Sequence, residues 1–220
     1  MKKINFIVLF ILISINSFSQ QFKTFTGKLV YSVQMVDTAM QKFYSPRLMT
    51  VYTNDTIVRI ENFSDQLGPQ TIIKHTLLNK SILLLQAKNN YYAIQTDLNK
   101  KALEPDSTKL KQSIYTYKKK CGKRKIANLK ANRMKVEQLN NNTSYEVLYL
   151  KDYSPKYIDA FTDLPGLAVH YYIDTEDGRI EYTLLSMEKS VLNKDLFGVP
   201  SNYKRVSFSQ FLEEILSKEK

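Results

Sequence analysis

Thr162-Asp163-Leu164-Pro165-Gly166-Leu167-Ala168-Val169-His170-Tyr171-Tyr172-Ile173-Asp174-Thr175-Glu176-Asp177-Gly178 is the stretch whose reading decides the fold. Pro165 presets φ near −65° and Gly166 accepts φ > 0, so Leu-Pro-Gly-Leu reads as a tight corner. Leu167 to Ile173 is rich in aromatic and β-branched residues and reads as a strand. Asp177-Gly178 then turns the chain into a second strand, Arg179 to Ser186.

The same grammar recurs on either side. Phe25 to Val36 alternates, with Phe25, Gly27, Leu29, Tyr31, Val33 and Met35 on one face. Leu48–Thr53 and Thr56–Phe63 flank Asn54-Asp55. Gln70–Leu78 and Ser81–Gln86 flank Asn79-Lys80, and Asn89-Asn90 leads into Tyr91–Thr96. Loops this short make neighbours antiparallel. Ser113–Lys118 and Lys125–Glu137 read as strands around a Lys-rich turn at Cys121-Gly122, although the apolar residues of the second also allow a helix. Thr143–Leu150 alternates again, and 151–161 is a connection holding Pro155, with room for a short helix. After Pro200 the period changes: Phe208, Phe211, Leu212, Ile215 and Leu216 recur every three or four residues, and Ser207 with Gln210 makes a capping box. The expected fold is mostly β: one long, curved antiparallel sheet or half-barrel, with one or two helices on its concave side, including this C-terminal amphipathic helix.

Met1-Lys2-Lys3, an apolar run from Ile4 to Ile15 and the small residues of Ser17-Phe18-Ser19 read as a secretory signal over residues 1–20, leaving 21–220 as a single domain. The run is too short to span a bilayer, no cysteine follows it for lipid attachment, and no later segment is long enough to cross. The expected address is periplasmic or secreted. Cys121 is the single cysteine, so no internal disulfide can form.

The formal charge is +11, and +9 once Lys2 and Lys3 are removed. It is concentrated: residues 99–135 hold thirteen Lys or Arg against Glu104 and Asp106, so the remainder of the mature chain is slightly acidic. Lys118, Lys119, Lys120, Lys123, Arg124 and Lys125 are the candidate anionic contact, and in an exported protein the partners of choice are a membrane surface or an acidic glycan, not nucleic acid. A solvated edge is the plain alternative. His75 and His170 stand on separate strands and read as structural residues. No metal spacing, nucleophile elbow, phosphate loop or dinucleotide fingerprint occurs, so no catalytic residue, metal or cofactor is assigned.

At Asp163-Leu164-Pro165-Gly166-Leu167-Ala168 the chain resembles the GLPGLI family of exported proteins from Bacteroidetes-type bacteria, with Asp163 and Ala168 in place of the flanking Gly and final Ile. Phe25 to Ser32, Lys125 to Ala131, Val147 to Leu150 with Ser154-Pro155, and Phe197 to Pro200 are similar in order, although Asn128 and Ala131 replace a Gly and a Cys. The family's pattern is similar to that of periplasmic lipoprotein carriers. The resemblance implies a curved sheet that holds an acyl chain, and an envelope address, by analogy.

Three functional expectations follow. The first is a non-enzymatic envelope protein that binds an apolar or amphipathic ligand, a lipid or a lipidated partner, in a half-barrel cavity at Leu164, Pro165, Gly166, Leu167 and Tyr31. The second is a structural or protein-interaction module with a filled core and no cavity of about 300 Å³ or more. The third is an unrecognised hydrolase. Asp37-Thr38-Ala39, Asp55-Thr56-Ile57 and Asp106-Ser107-Thr108 also fit an Asp-Ser/Thr pattern for O-glycosylation.

Overall fold

The computed structural model describes residues 22–37, 44–64, 67–78, 80–97, 115–138, 143–175 and 177–216. Residues 1–20, Thr38 and Ser107 lie outside the described residues, so the expected leader and two of the three candidate glycosylation sites do as well. Thr56 is exposed, in the turn that follows Asp55.

The strands are β1 (Gly27–Met35), β2 (Arg47–Thr53), β3 (Ile57–Ser64), β4 (Gly68–His75), β5 (Lys80–Ala87), β6 (Asn90–Asp97), β7 (Tyr115–Ile126), β8 (Leu129–Gln138), β9 (Thr143–Leu150), β10 (Leu167–Thr175), β11 (Gly178–Lys189) and β12 (Lys204–Ser207), followed by α1 (Phe208–Leu216). They form one open, curved sheet in the order β12-β6-β5-β4-β3-β2-β1-β11-β10-β9-β8-β7. The expected sheet and helix are both present.

Two local expectations are corrected. The Lys-rich turn at Cys121-Gly122 is instead an interruption within one continuous strand, β7. The chain reverses later, inside the segment assigned to the next strand, at Ala127-Asn128, both at positive φ (46° and 64°). Asn128 suits that conformation, and the two-residue primed turn matches the strand twist. The sheet is also not antiparallel throughout. After β11, in mid-sheet, the chain crosses one face and reaches β6 at the edge, so β12 pairs parallel to it, with Lys204 opposite Tyr92 and Ser207 opposite Gln95.

Alternation decides which side chains enter the core. Gly27, Leu29, Tyr31, Val33 and Met35 of β1 are buried, as are Met49 and Val51 of β2 and Val58 and Ile60 of β3. The register sets Leu29 opposite Val51, and Val51 opposite Ile60. Tyr171 and Tyr182, cross-strand neighbours, stack at 4.7 Å.

The helix does not supply the main cover of this face. Phe211 packs on Tyr92 at 5.2 Å and closes a small cluster of Leu85, Tyr92, Ile94 and Val206 near the β6/β12 edge. Ser207 Oγ accepts from the Gln210 amide while Gln210 Oε1 accepts from the Ser207 amide, which completes the capping box. The larger cluster is covered by the connection between β9 and β10, residues 151–166. Pro155 starts a 3-10 turn at Pro155–Tyr157, and Tyr157, Ile158, Phe161 and Leu164 enter the core.

Candidate functional site

The Leu164–Leu167 corner ends that strap. Leu164 is 3% exposed and Leu167 0%; Gly166 is buried and Pro165 half-buried. A Cβ on Gly166 would lie 2.3 Å from the Leu150 carbonyl oxygen, so glycine is required by backbone approach. Tyr31 is fully buried and donates to the Ala168 carbonyl at 2.9 Å; burial pushes its pKa far above the usual tyrosine range. Phe161, held at φ +55°, packs against Tyr115, Tyr145 and Tyr171. Tyr157 donates to Asp55, and Asp159 pairs with Lys74, whose side chain is 9% exposed and whose pKa burial lowers. Tyr31 and the corner residues are thus brought together as core. They do not line the open groove formed by β1, β2, β3, β10 and β11.

That groove, about 290 Å³, lies elsewhere, among Val33, Met35, Phe63, Ile180 and Tyr182, with Arg47 and Asp177 at its wall. The Arg47 guanidinium stands 5.3 Å from the Phe63 ring centre and 5.9 Å from that of Tyr44, and donates to the Phe63 carbonyl at 3.0 Å. Sequence reading missed it, because its walls come from β1, β2, β3, β10 and β11 and no local pattern announces them.

The charged cluster is ordered as a hairpin edge. β8 is anchored by Ala131, Met134 and Val136, all buried, and β7 pairs along it to the end of the sheet. Residues 115–138 carry nine Lys or Arg and one acid, Glu137. Lys118 stands opposite Lys135, Lys120 opposite Arg133, and Lys125 opposite Lys130. Like charges placed across a ladder repel, so stability asks for counter-ions. Two carboxylates supply them for part of the cluster. Glu137 accepts from Lys118 at 3.0 Å and Lys135 at 2.8 Å, and these lysines, Lys135 foremost, push its pKa down from 4.5 to about 2. Glu146 of β9 meets Arg133 at 2.7 Å, Lys120 at 3.3 Å and Arg124 at 3.4 Å, and its pKa falls chiefly through the Arg133 hydrogen bond. Among the described residues, Lys119, Lys125 and Lys130 have no ion pair, and Lys123 feels Asp152 only at a distance. Sequence reading found the cations but not Glu146, which comes from a neighbouring strand. Cys121 is exposed, and its carbonyl accepts from Arg133 at 3.1 Å.

His170 lies next to this cluster, hydrogen-bonded to Thr183 at 3.0 Å and Tyr172 at 3.2 Å, with Glu181 at 3.7 Å. Burial lowers its pKa, against the pull of Glu181. His75 Nδ1 accepts from the Leu77 and Leu78 amides and closes the turn after β4. Among the described residues no group of three or more His, Cys, Asp or Glu could hold a metal ion, and no helix is long and apolar enough to cross a membrane.

No family model and no curated protein sequence matches the chain. Among solved structures, a similar one is that of PNGF-II in a C2 space group. It is 13% identical with a TM-score of 0.46, and the match covers 86% of this chain and 32% of that one. The chain therefore spans about a third of that protein's length, and a likeness this loose carries no argument.

Proposed function

We propose that the chain is an exported, non-enzymatic interaction module of the bacterial cell envelope that meets an anionic partner through the β7–β8 hairpin. The leader-like residues 1–20 and the family resemblance support the address. The observation that carries the reading is the division of labour in the sheet: the strap fills the core side, whereas the exposed cations of β7 stand on the terminal strand, where among the described residues Glu137 and Glu146 are the acids ion-paired to any of the nine Lys and Arg of the hairpin. A protein-interaction module needs no internal cavity, and an electropositive edge raises both encounter rate and specificity for anions. Retention on a dextran sulfate matrix tests it. The mature protein is expected to bind more tightly than a control protein of equal net charge and to elute as salt screens the contact. Equal retention would remove the proposal.

The groove favours a second reading, an amphipathic ligand with an anionic head. Its volume is near the lower end of ligand sites, about 300 Å³. A tail could lie on Val33, Ile180 and Tyr182 with its head at Arg47. Native mass spectrometry of protein purified from its own envelope checks this: a co-purifying lipid supports it, and a clean apo mass together with no uptake of a fluorescent fatty acid rejects it.

A further inference from the structure

The interruption in β7 determines how its charges are laid out. Lys120 stands opposite Arg133 and Lys123 opposite Asn132, so Cys121 and Gly122 have no partner on β8. Gly122, at φ +80°, supplies the backbone conformation. Because two residues are inserted rather than one, the alternation of faces is preserved across the bulge. Lys119, Lys123 and Lys125 therefore fall at successive same-face positions, opposite Met134, Asn132 and Lys130. Lys118, Lys120 and Arg124 fall likewise on the other face, opposite Lys135, Arg133 and Ala131. Each cation of the second row is ion-paired to Glu137 or Glu146. The first contains no ion pair among the described residues, and Asp152, the acid nearest Lys123, is already held by Lys23 at 2.8 Å.

Resting on the anionic-contact reading, we infer that β7 receives an extended acidic polypeptide as an added strand, with carboxylates at every second residue facing Lys119, Lys123 and Lys125. Same-face residues of an added strand recur about every 6.6–6.8 Å, the repeat of the cation row. The terminal strand offers backbone groups that a polypeptide can pair in a regular ladder, and alternate side chains would then read the charge row. The chain's own residues 98–114 are not the complement, since they carry four lysines against Glu104 and Asp106. A second copy is disfavoured, because β7 against β7 would oppose like charges.

The test is fluorescence anisotropy with the mature protein and three peptides of equal charge: one with Glu at every second residue, one with Glu at every third, and the first N-methylated on alternate amides. The alternating peptide is expected to bind about tenfold or more tightly than either of the others, and its affinity is expected to collapse in a Lys119→Glu/Lys123→Glu/Lys125→Glu variant whose urea midpoint is unchanged. Equal binding of the N-methylated peptide overturns strand addition. Tighter binding to phosphatidylglycerol vesicles than to any peptide also overturns it. Both results are compatible with dextran sulfate retention, so they leave the anionic contact itself standing; loss of that retention as well would fell both.

Discussion

The Leu164–Leu167 corner and the β7–β8 hairpin are opposite solutions to the same problem of what to do with a distinctive run of residues. The corner's residues are apolar, and the fold buries them: Leu164, Leu167 and Tyr31 are all at most 3% exposed. The hairpin's residues are charged, and the fold leaves them at a sheet edge, in part ion-paired, among the described residues, to two carboxylates. A motif that stands out in sequence because it is sterically demanding is explained by packing. A charge row that finds no counter-ion among the described residues is not, and it is there that a partner is to be sought.

Several substitutions sharpen this contrast, and the largest effects belong to the corner. Phe161→Ala removes a ring packed against three tyrosines and is expected to cost about 3–5 kcal/mol, read from urea unfolding. Gly166→Ala forces a Cβ into the Leu150 carbonyl and should cost about 1–3 kcal/mol or more. In both variants the protein that remains folded should bind dextran sulfate like the wild type. Tyr31→Phe comes next: it leaves the buried Ala168 carbonyl without this donor, for about 1–3 kcal/mol. Asp159→Asn strips the partner from Lys74, but Asp159 is 53% exposed, so about 1 kcal/mol is expected rather than the cost of breaking a fully buried pair.

The acid limb is smaller still. The folded pKa of His170 lies below its ordinary 6.5, so the neutral ring is the form the fold favours. Its contribution is intact above pH 6.5 and is lost as pH falls through the lower folded value, because the unfolded chain takes up the proton first. Glu137 adds the same sign further down, between 4.5 and about 2. Stability measured against pH should therefore lose slope just below 6.5 in His170→Gln and keep the lower limb. A wild-type curve flat from 7 to 5 would contradict this. The smallest effect on stability, within about 0.5 kcal/mol, is expected for Lys119→Glu/Lys123→Glu/Lys125→Glu, since all three residues are exposed.

Much of the fold was legible because alternation and turn residues act locally. Phe25 to Val36 names its buried face outright, Asn54-Asp55 marks a hairpin, and Ser207 with Gln210 marks the start of α1. The misplaced hairpin turn shows the limit. Cys121-Gly122 looked like the reversal because Gly is a strong turn signal, yet pairing of Ala131, Met134 and Val136 into the core fixed the register and moved the turn to Ala127-Asn128. The strap escaped notice because Tyr157, Ile158, Phe161 and Leu164 follow no period; only the sheet they cover gives them a common direction. For the candidate site, the cations were visible in sequence. Their division into an ion-paired and an open row was not, since Glu146 lies on β9 and the face of each lysine depends on the bulge.

The most direct measurement compares dextran sulfate affinity in two variants at equal folded fraction, Leu164→Ala and Lys119→Glu/Lys123→Glu/Lys125→Glu. The corner variant is expected to keep the wild-type affinity and salt dependence, while the charge-reversed hairpin loses both. Loss of affinity in Leu164→Ala, with the hairpin variant unchanged, would place the contact at the corner and contradict a role for the cation row.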